Sequence, residues 1–123
     1  MADRVRRRFK PAGEWTDVTD MLEEVRLRPG MFVRKGSIQE LSTMLFGYWY
    51  ALQVHDIPER FDFHPATGAF AKWLKETRGW PMNRGWATAI EENAQDDALA
   101  LFFALFDEYQ AGRARLGTSD LDD

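Results

Sequence analysis

Residues 22–48 read LEEVRLRPGMFVRKGSIQELSTMLFGY, and they set the pattern for the whole chain. Val18, Met21, Leu22 and Val25 fall at i, i+3, i+4 and i+7, so one apolar stripe predicts a first helix that starts near Thr16 or Asp17. Pro29 pushes Arg28 out of helical space, and Gly30 completes the stop. Met31-Phe32-Val33 then reads as an apolar link, or as one short strand. Ser37-Ile38-Gln39-Glu40 has the form of a capping box. The Ser37 hydroxyl would accept the Glu40 N–H, and the Glu40 carboxylate would reach back to the Ser37 N–H. A second helix follows to about Val54, with Leu41, Met44, Leu45, Tyr48, Trp49 and Leu52 on its apolar stripe. Gly47 interrupts that helix at a cost of roughly 1 kcal/mol, which predicts a close approach of another helix there.

Ile57-Pro58 ends the second helix, and Phe61-Asp62-Phe63 is an apolar connector. Pro65 suits the first position of a third helix that buries Phe70, Trp73 and Leu74, with Gly79 as its C-terminal cap. After the turn Trp80-Pro81-Met82, Asn83 is a cap for a short fourth helix carrying Trp86 and Ile90. A fifth helix spans about Ala94 to Arg113 on Leu99, Phe102, Phe103, Phe106 and Tyr109, widened by Leu101 and Leu105. Asp96 and Asp97 in its first turn and Arg113 in its last complement the macrodipole. The fold class expected is a compact all-α bundle of about five helices over residues 15–116. It is preceded by a flexible basic arm, residues 1–14, and followed by an acidic frayed tail, residues 117–123.

Composition narrows the possibilities. A chain of 123 residues makes one domain, and its 45 % apolar content speaks against disorder. No apolar run reaches the roughly 18–20 residues of a membrane span. The basic N-terminus lacks the apolar stretch of a secretory leader. Cysteine is absent, which removes disulfides and thiolate chemistry and fits a cytoplasmic setting. Twelve arginines against four lysines hint at a GC-rich coding genome, a clue to a bacterial source. The net charge of −4 conceals an asymmetry. Arg4, Arg6, Arg7, Arg8 and Lys10 crowd the first ten residues, and the remaining 113 residues carry −8. Such a body repels nucleic acid, and only the arm attracts it.

No catalytic constellation stands out. His55 and His64 are nine residues apart without a clustered carboxylate, so no metal site is expected. Ser37, Ser42 and Ser119 read as a cap, a helix surface and a tail, and no glycine-rich phosphate loop precedes a lysine. Glu91, Glu92, Asp96 and Asp97 cluster where the fourth helix meets the fifth, and Asp107 and Glu108 extend the acidity. This cluster reads as a solvated helix junction or as a docking surface for a basic partner. Of the five tryptophans, Trp49 and Trp73 read as core; Trp80 and Trp86 flank a glycine- and proline-containing loop and read either as core or, for at least one of them, as a partly exposed anchor for a partner.

Two resemblances bear on function. LEEVRLRPGMFV resembles the N-terminal segment of gyrase B-type ATPases. In those enzymes the next helix carries an acidic base and a magnesium-binding asparagine, and a DxGxG loop follows. Here that helix reads LSTMLFGYWYALQ, and neither Asp56 nor Asp62 is followed by such a loop, so ATP hydrolysis is rejected. A longer pattern joins Arg28-Pro29-Gly30-Met31, Gly47-Tyr48, Gly85-Trp86 and the stretch from Phe102 to Tyr109. Over roughly residues 20–110 it resembles small helical immunity-type proteins of bacterial polymorphic toxin systems. That resemblance implies a non-enzymatic protein without a cofactor, which binds and blocks a cognate toxin. The expected partner is a basic toxin that meets Glu91, Glu92, Asp96, Asp97, Trp80 and Trp86. One alternative is a regulatory protein touching nucleic acid through Arg4, Arg6, Arg7 and Arg8. Another is a helical enzyme or ligand carrier with a pocket among Tyr48, Trp49, Trp73 and Trp86.

Overall fold

A computed structural model describes the backbone of residues 9–122 and the side chains of residues 9–114. Among the described residues the fold is all-helical, without strands. Six helices follow in order: α1 (Val18–Leu27), α2 (Pro29–Phe32), α3 (Ile38–Val54), α4 (Ala69–Arg78), α5 (Trp86–Asn93) and α6 (Ala98–Asp122). Short 3-10 turns at Ala12–Glu14 and Arg34–Gly36 complete the described chain.

The first helix forms for the reasons its sequence suggests. The Asp17 carboxylate accepts the Thr19 N–H at 2.9 Å, which caps α1. Val18, Met21, Leu22 and Val25 are all buried. The Glu59 carboxylate adds a second cap from a distance. It accepts the Val18 N–H at 2.9 Å and the Tyr48 hydroxyl at 2.7 Å, tying the start of α1 to the middle of α3. Pro29 stops α1, as expected, but it also starts α2. Its fixed φ suits the first helical position, and Val33 N–H closes the turn on the Pro29 carbonyl at 2.9 Å. Met31 and Phe32 are therefore helical rather than part of an extended link or strand.

The capping box is half realised. Ser37 Oγ accepts the Glu40 N–H at 3.2 Å. The Glu40 carboxylate turns instead to Arg34, accepting its backbone N–H at 2.8 Å and its Nε at 3.1 Å. The Ser37 N–H is already taken by the Arg34 carbonyl at 2.9 Å, so the reciprocal bond has no donor left. At its far end α3 stops at His55. Asp56 takes φ 52°, its N–H bonds the Gln53 carbonyl, and the Ile57 N–H reaches the Leu52 carbonyl. This is a Schellman ending with aspartate where glycine is usual.

The connector 61–68 departs most from expectation. Pro65 does not open a helix. Its carbonyl accepts the Trp86 N–H at 2.9 Å, and α4 starts only at Ala69. Gly68 sets that start, because its backbone folds closely onto the Asp62 and His64 main chain. Gly85, at φ 90°, opens α5 in place of the expected Asn83. Asp97 caps α6 by accepting the Ala100 N–H at 3.0 Å, so this helix begins four residues later than the apolar pattern suggests. It also continues through residues 117–122, which were expected to fray as a tail. No proline follows Arg113 to stop it.

The core is aromatic. Phe63, Phe70, Trp86, Phe102, Phe106 and Tyr109 pack as one group, with Trp86 stacked on Phe102 at 5.2 Å and Phe102 on Phe106 at 6.0 Å. The buried Trp86 N–H donates to the Phe63 carbonyl at 3.0 Å. Trp73, expected in the core, is half-buried, with Arg78 above its ring. Gly47 is also corrected. A methyl group there would meet nothing within 4 Å, because it faces away from the α3 stripe that meets the core.

Candidate protein-binding surfaces

Residues 1–8 lie outside the described residues, and with them Arg4, Arg6, Arg7 and Arg8. The remainder of the expected arm is held against α1. The Lys10 N–H donates to Glu24 at 3.1 Å, Lys10 Nζ to Asp20 at 3.2 Å, and the Trp15 indole to the Lys10 carbonyl at 2.8 Å. Phe9 lies 5.3 Å from the Arg28 guanidinium. Burial tends to raise the Asp20 carboxyl, but hydrogen bonds from Thr16 and Lys10 outweigh it and hold the group below its ordinary value.

The acidic residues separate into two groups. Asp107 is engaged by Arg26 through two hydrogen bonds at 2.6 and 3.1 Å, which join α1 to α6. Glu108 pairs with Arg78 at 2.7 Å. These two carboxylates serve the fold. Glu91, Glu92, Asp96 and Asp97 all stand in solvent at the α5–α6 junction. Glu91 accepts a hydrogen bond from Gln39 of α3 at 2.9 Å, Glu92 pairs with Arg84, and Asp97 caps α6. Asp96 is exposed on the same junction. The two tryptophans expected beside this cluster behave differently. Trp80 is half-buried and packs on the core. Trp86 is completely buried and cannot touch a partner. The sequence places it on a short helix at the edge of a loop, where an exposed anchor is one reading. In the fold it is the first residue of α5, facing inward.

A second surface escaped the sequence reading. Phe46, Tyr50 and Val54 are exposed on one face of α3, and Ile57 continues it beyond the helix end. Phe46 and Tyr50 meet edge to face at 4.9 Å, Phe46 stacks on Trp49 at 5.9 Å, and His64 abuts Trp49 at 4.5 Å. Gly47 lies on this exposed face. Two signals in the sequence mark it. The segment 41–54 holds no charged residue, and its aromatics fall on both sides of the helix rather than on one stripe.

The remaining polar arrangement is structural. Asp62, buried, accepts hydrogen bonds from the Tyr109 hydroxyl at 2.6 Å and Arg60 Nε at 2.8 Å, with Arg113 at 3.2 Å. A cavity of about 100 Å³ adjoins it, lined by Thr19, Arg60, Gln110 and Arg113 among others. Its walls balance arginines against Asp17 and Asp62. The four residues of the proposed aromatic pocket do not gather: Trp86 belongs to the core cluster, Trp73 and Tyr48 pack against that cluster from outside, and Trp49 borders the exposed face. Among the described residues no helix is long and apolar enough to cross a membrane, and no group of three or more histidines and carboxylates is placed to hold a metal ion. No family model, curated protein or solved structure matches this chain.

Proposed function

We propose that this chain is a non-catalytic protein-binding domain, an immunity-type inhibitor that holds a basic toxin by stoichiometric contact in the bacterial cytoplasm. The observation that carries the binding reading is the α5–α6 junction, where Glu91, Glu92, Asp96 and Asp97 are all exposed on a body with a net charge of −8 over residues 11–123. The toxin and its bacterial setting rest on the motif resemblance alone. An acidic patch of this kind steers a basic partner during encounter and competes with a phosphate-bearing substrate for the same face. Glu92 and Asp96 are the informative pair, because neither holds the helices together. Glu92 bonds only to the exposed Arg84, and such surface pairs contribute about 0–1 kcal/mol. Asp97 is excluded from the test because it caps α6.

The test is capture from a lysate of the native host by immobilised wild type and by the double variant Glu92→Arg, Asp96→Arg. The expected result is one basic protein held in a one-to-one ratio by the wild type, released by salt and not held by the variant. Capture that is equal for both proteins would overturn the reading, and so would capture of nothing.

A further inference from the structure

We infer that the basic tip formed by Phe9, Arg28, α2 and the Arg34–Gly36 turn docks reversibly on an anionic phospholipid surface. Arg28 and Lys35 are exposed there, and neither is in an ion pair with a described residue. Arg34 is exposed beside Lys35 and pairs with Glu40. The segment before α1 delivers the arginine run to the same end. Lys10 bonds Asp20 and Glu24, and Phe9 meets Arg28, so stepping back along this segment leads forward along α1. Arg8, Arg7, Arg6 and Arg4 precede that anchor in the chain, the farthest of them five residues from Phe9. Residues 1–10 carry a net +4 and residues 28–35 a net +3, on a chain whose total is −4.

The apolar side chains among these cations select the polyanion. Met31 is 66 % exposed and Phe9 45 %. The Met31 N–H closes a turn on the Arg28 carbonyl at 3.0 Å, and the Arg28 guanidinium lies 5.3 Å from the Phe9 ring. A nucleic acid takes phosphate contacts from cations and stacks its bases on open aromatic faces. Methionine has no such face, and one face of Phe9 is covered by Arg28. A lipid surface uses both kinds of group at once. Guanidinium and ammonium groups meet the headgroup phosphates, and apolar side chains sink to the acyl boundary. Two apolar side chains are too few to hold the protein alone, so the contact is reversible and depends on the charge. The acidic remainder of the chain resists approach of the same surface by other faces. The inference is independent of the acidic junction and of any toxin.

The experiment is co-sedimentation of the full chain with phosphatidylcholine vesicles, pure or containing about 30 % phosphatidylglycerol, at about 0.05 M and about 0.5 M salt. Wild type should bind the anionic vesicles at low salt at least about tenfold more tightly than the neutral ones, and high salt should release it. The double variant Arg28→Glu, Lys35→Glu should weaken binding at least about tenfold, since each cation near the surface contributes about fivefold. Met31→Ser keeps the charge and removes the inserted side chain, and should weaken binding about fivefold. Glu92→Arg, on the acidic junction, should not weaken it. Circular dichroism verifies that the variants remain folded; should one tip variant not, the other decides. A wild type that does not pellet with anionic vesicles overturns the inference. So does pelleting that the folded tip variants leave unchanged, which would place the contact elsewhere. Salt-sensitive binding to a DNA duplex in place of the vesicles, indifferent to Met31→Ser, would assign the cations to nucleic acid and overturn it as well.

Discussion

A methyl group added at Gly68 would lie 2.5 Å from the Asp62 carbonyl oxygen and 2.7 Å from the His64 nitrogen. These are backbone atoms and cannot swing aside. Gly68→Ala should therefore destabilise the fold by about 2–3 kcal/mol, as overpacking does in a tight site. Gly47→Ala should do the opposite. Its methyl meets nothing within 4 Å, so the gain in helix propensity is uncompensated and stability should rise by about 1 kcal/mol. Urea unfolding of the two variants measures both signs. The contrast shows what a sequence discloses about single residues. Gly47 stands out because it interrupts a helix, and Gly68 does not because it sits in a loop where glycine is ordinary. The close approach at Gly68 is long-range in nature, made by a main chain that folds back over it, and no local pattern encodes it.

Within single elements the local chemistry was more legible. The α1 stripe, the Ser37 cap, the α3 span and the Gly79 ending of α4 each depend on neighbours a few residues away, and each is seen in the fold. Starts that depend on distant partners were misplaced. Helix α4 begins after Gly68 rather than at Pro65, because the Pro65 carbonyl is committed to the Trp86 N–H. Trp86 is expected on the short fourth helix, but the partners that bury it are distant: its indole N–H bonds the Phe63 carbonyl and its ring stacks on Phe102. Trp86→Phe should cost about 2–4 kcal/mol, from lost volume together with an unpaired buried carbonyl. The shift of the urea midpoint measures it. A loss below 0.5 kcal/mol, the size of an ordinary surface change, would show that α5 does not depend on this anchor.

On the scale of the whole molecule, two tyrosine hydroxyls, Tyr48 partly buried and Tyr109 buried, tie helices to the segment that links α3 to α4. Burial raises Tyr48, and its hydrogen bond to Glu59 adds to the effect. Burial raises Tyr109 likewise, with Asp62 as the acceptor. Both folded values lie above the ordinary 10.0, so the native state holds these protons more tightly than the unfolded chain. The stability they contribute is fully present below pH 10 and is lost as pH rises above it. In a Tyr50→Phe variant, phenolate absorbance should therefore appear together with loss of helix signal at alkaline pH. Absorbance that rises while the helices persist would show that the two hydroxyls are not held as described.

The surface is organised on that same scale, and only part of it could be read beforehand. The acidic junction is contiguous in sequence and was visible there, whereas the pairings of Asp107 with Arg26 and of Glu108 with Arg78 needed the fold to reveal them. The central claim is that the remaining exposed carboxylates guide a basic partner. Its most direct test is the association rate of the co-purified partner with the wild type and with the Glu92→Arg, Asp96→Arg double variant, each at low and high salt. Steering acts over a Debye length, so the wild-type rate should fall at least about tenfold from low to high salt. The variant should associate slowly at both. Equal rates under all four conditions would contradict the account.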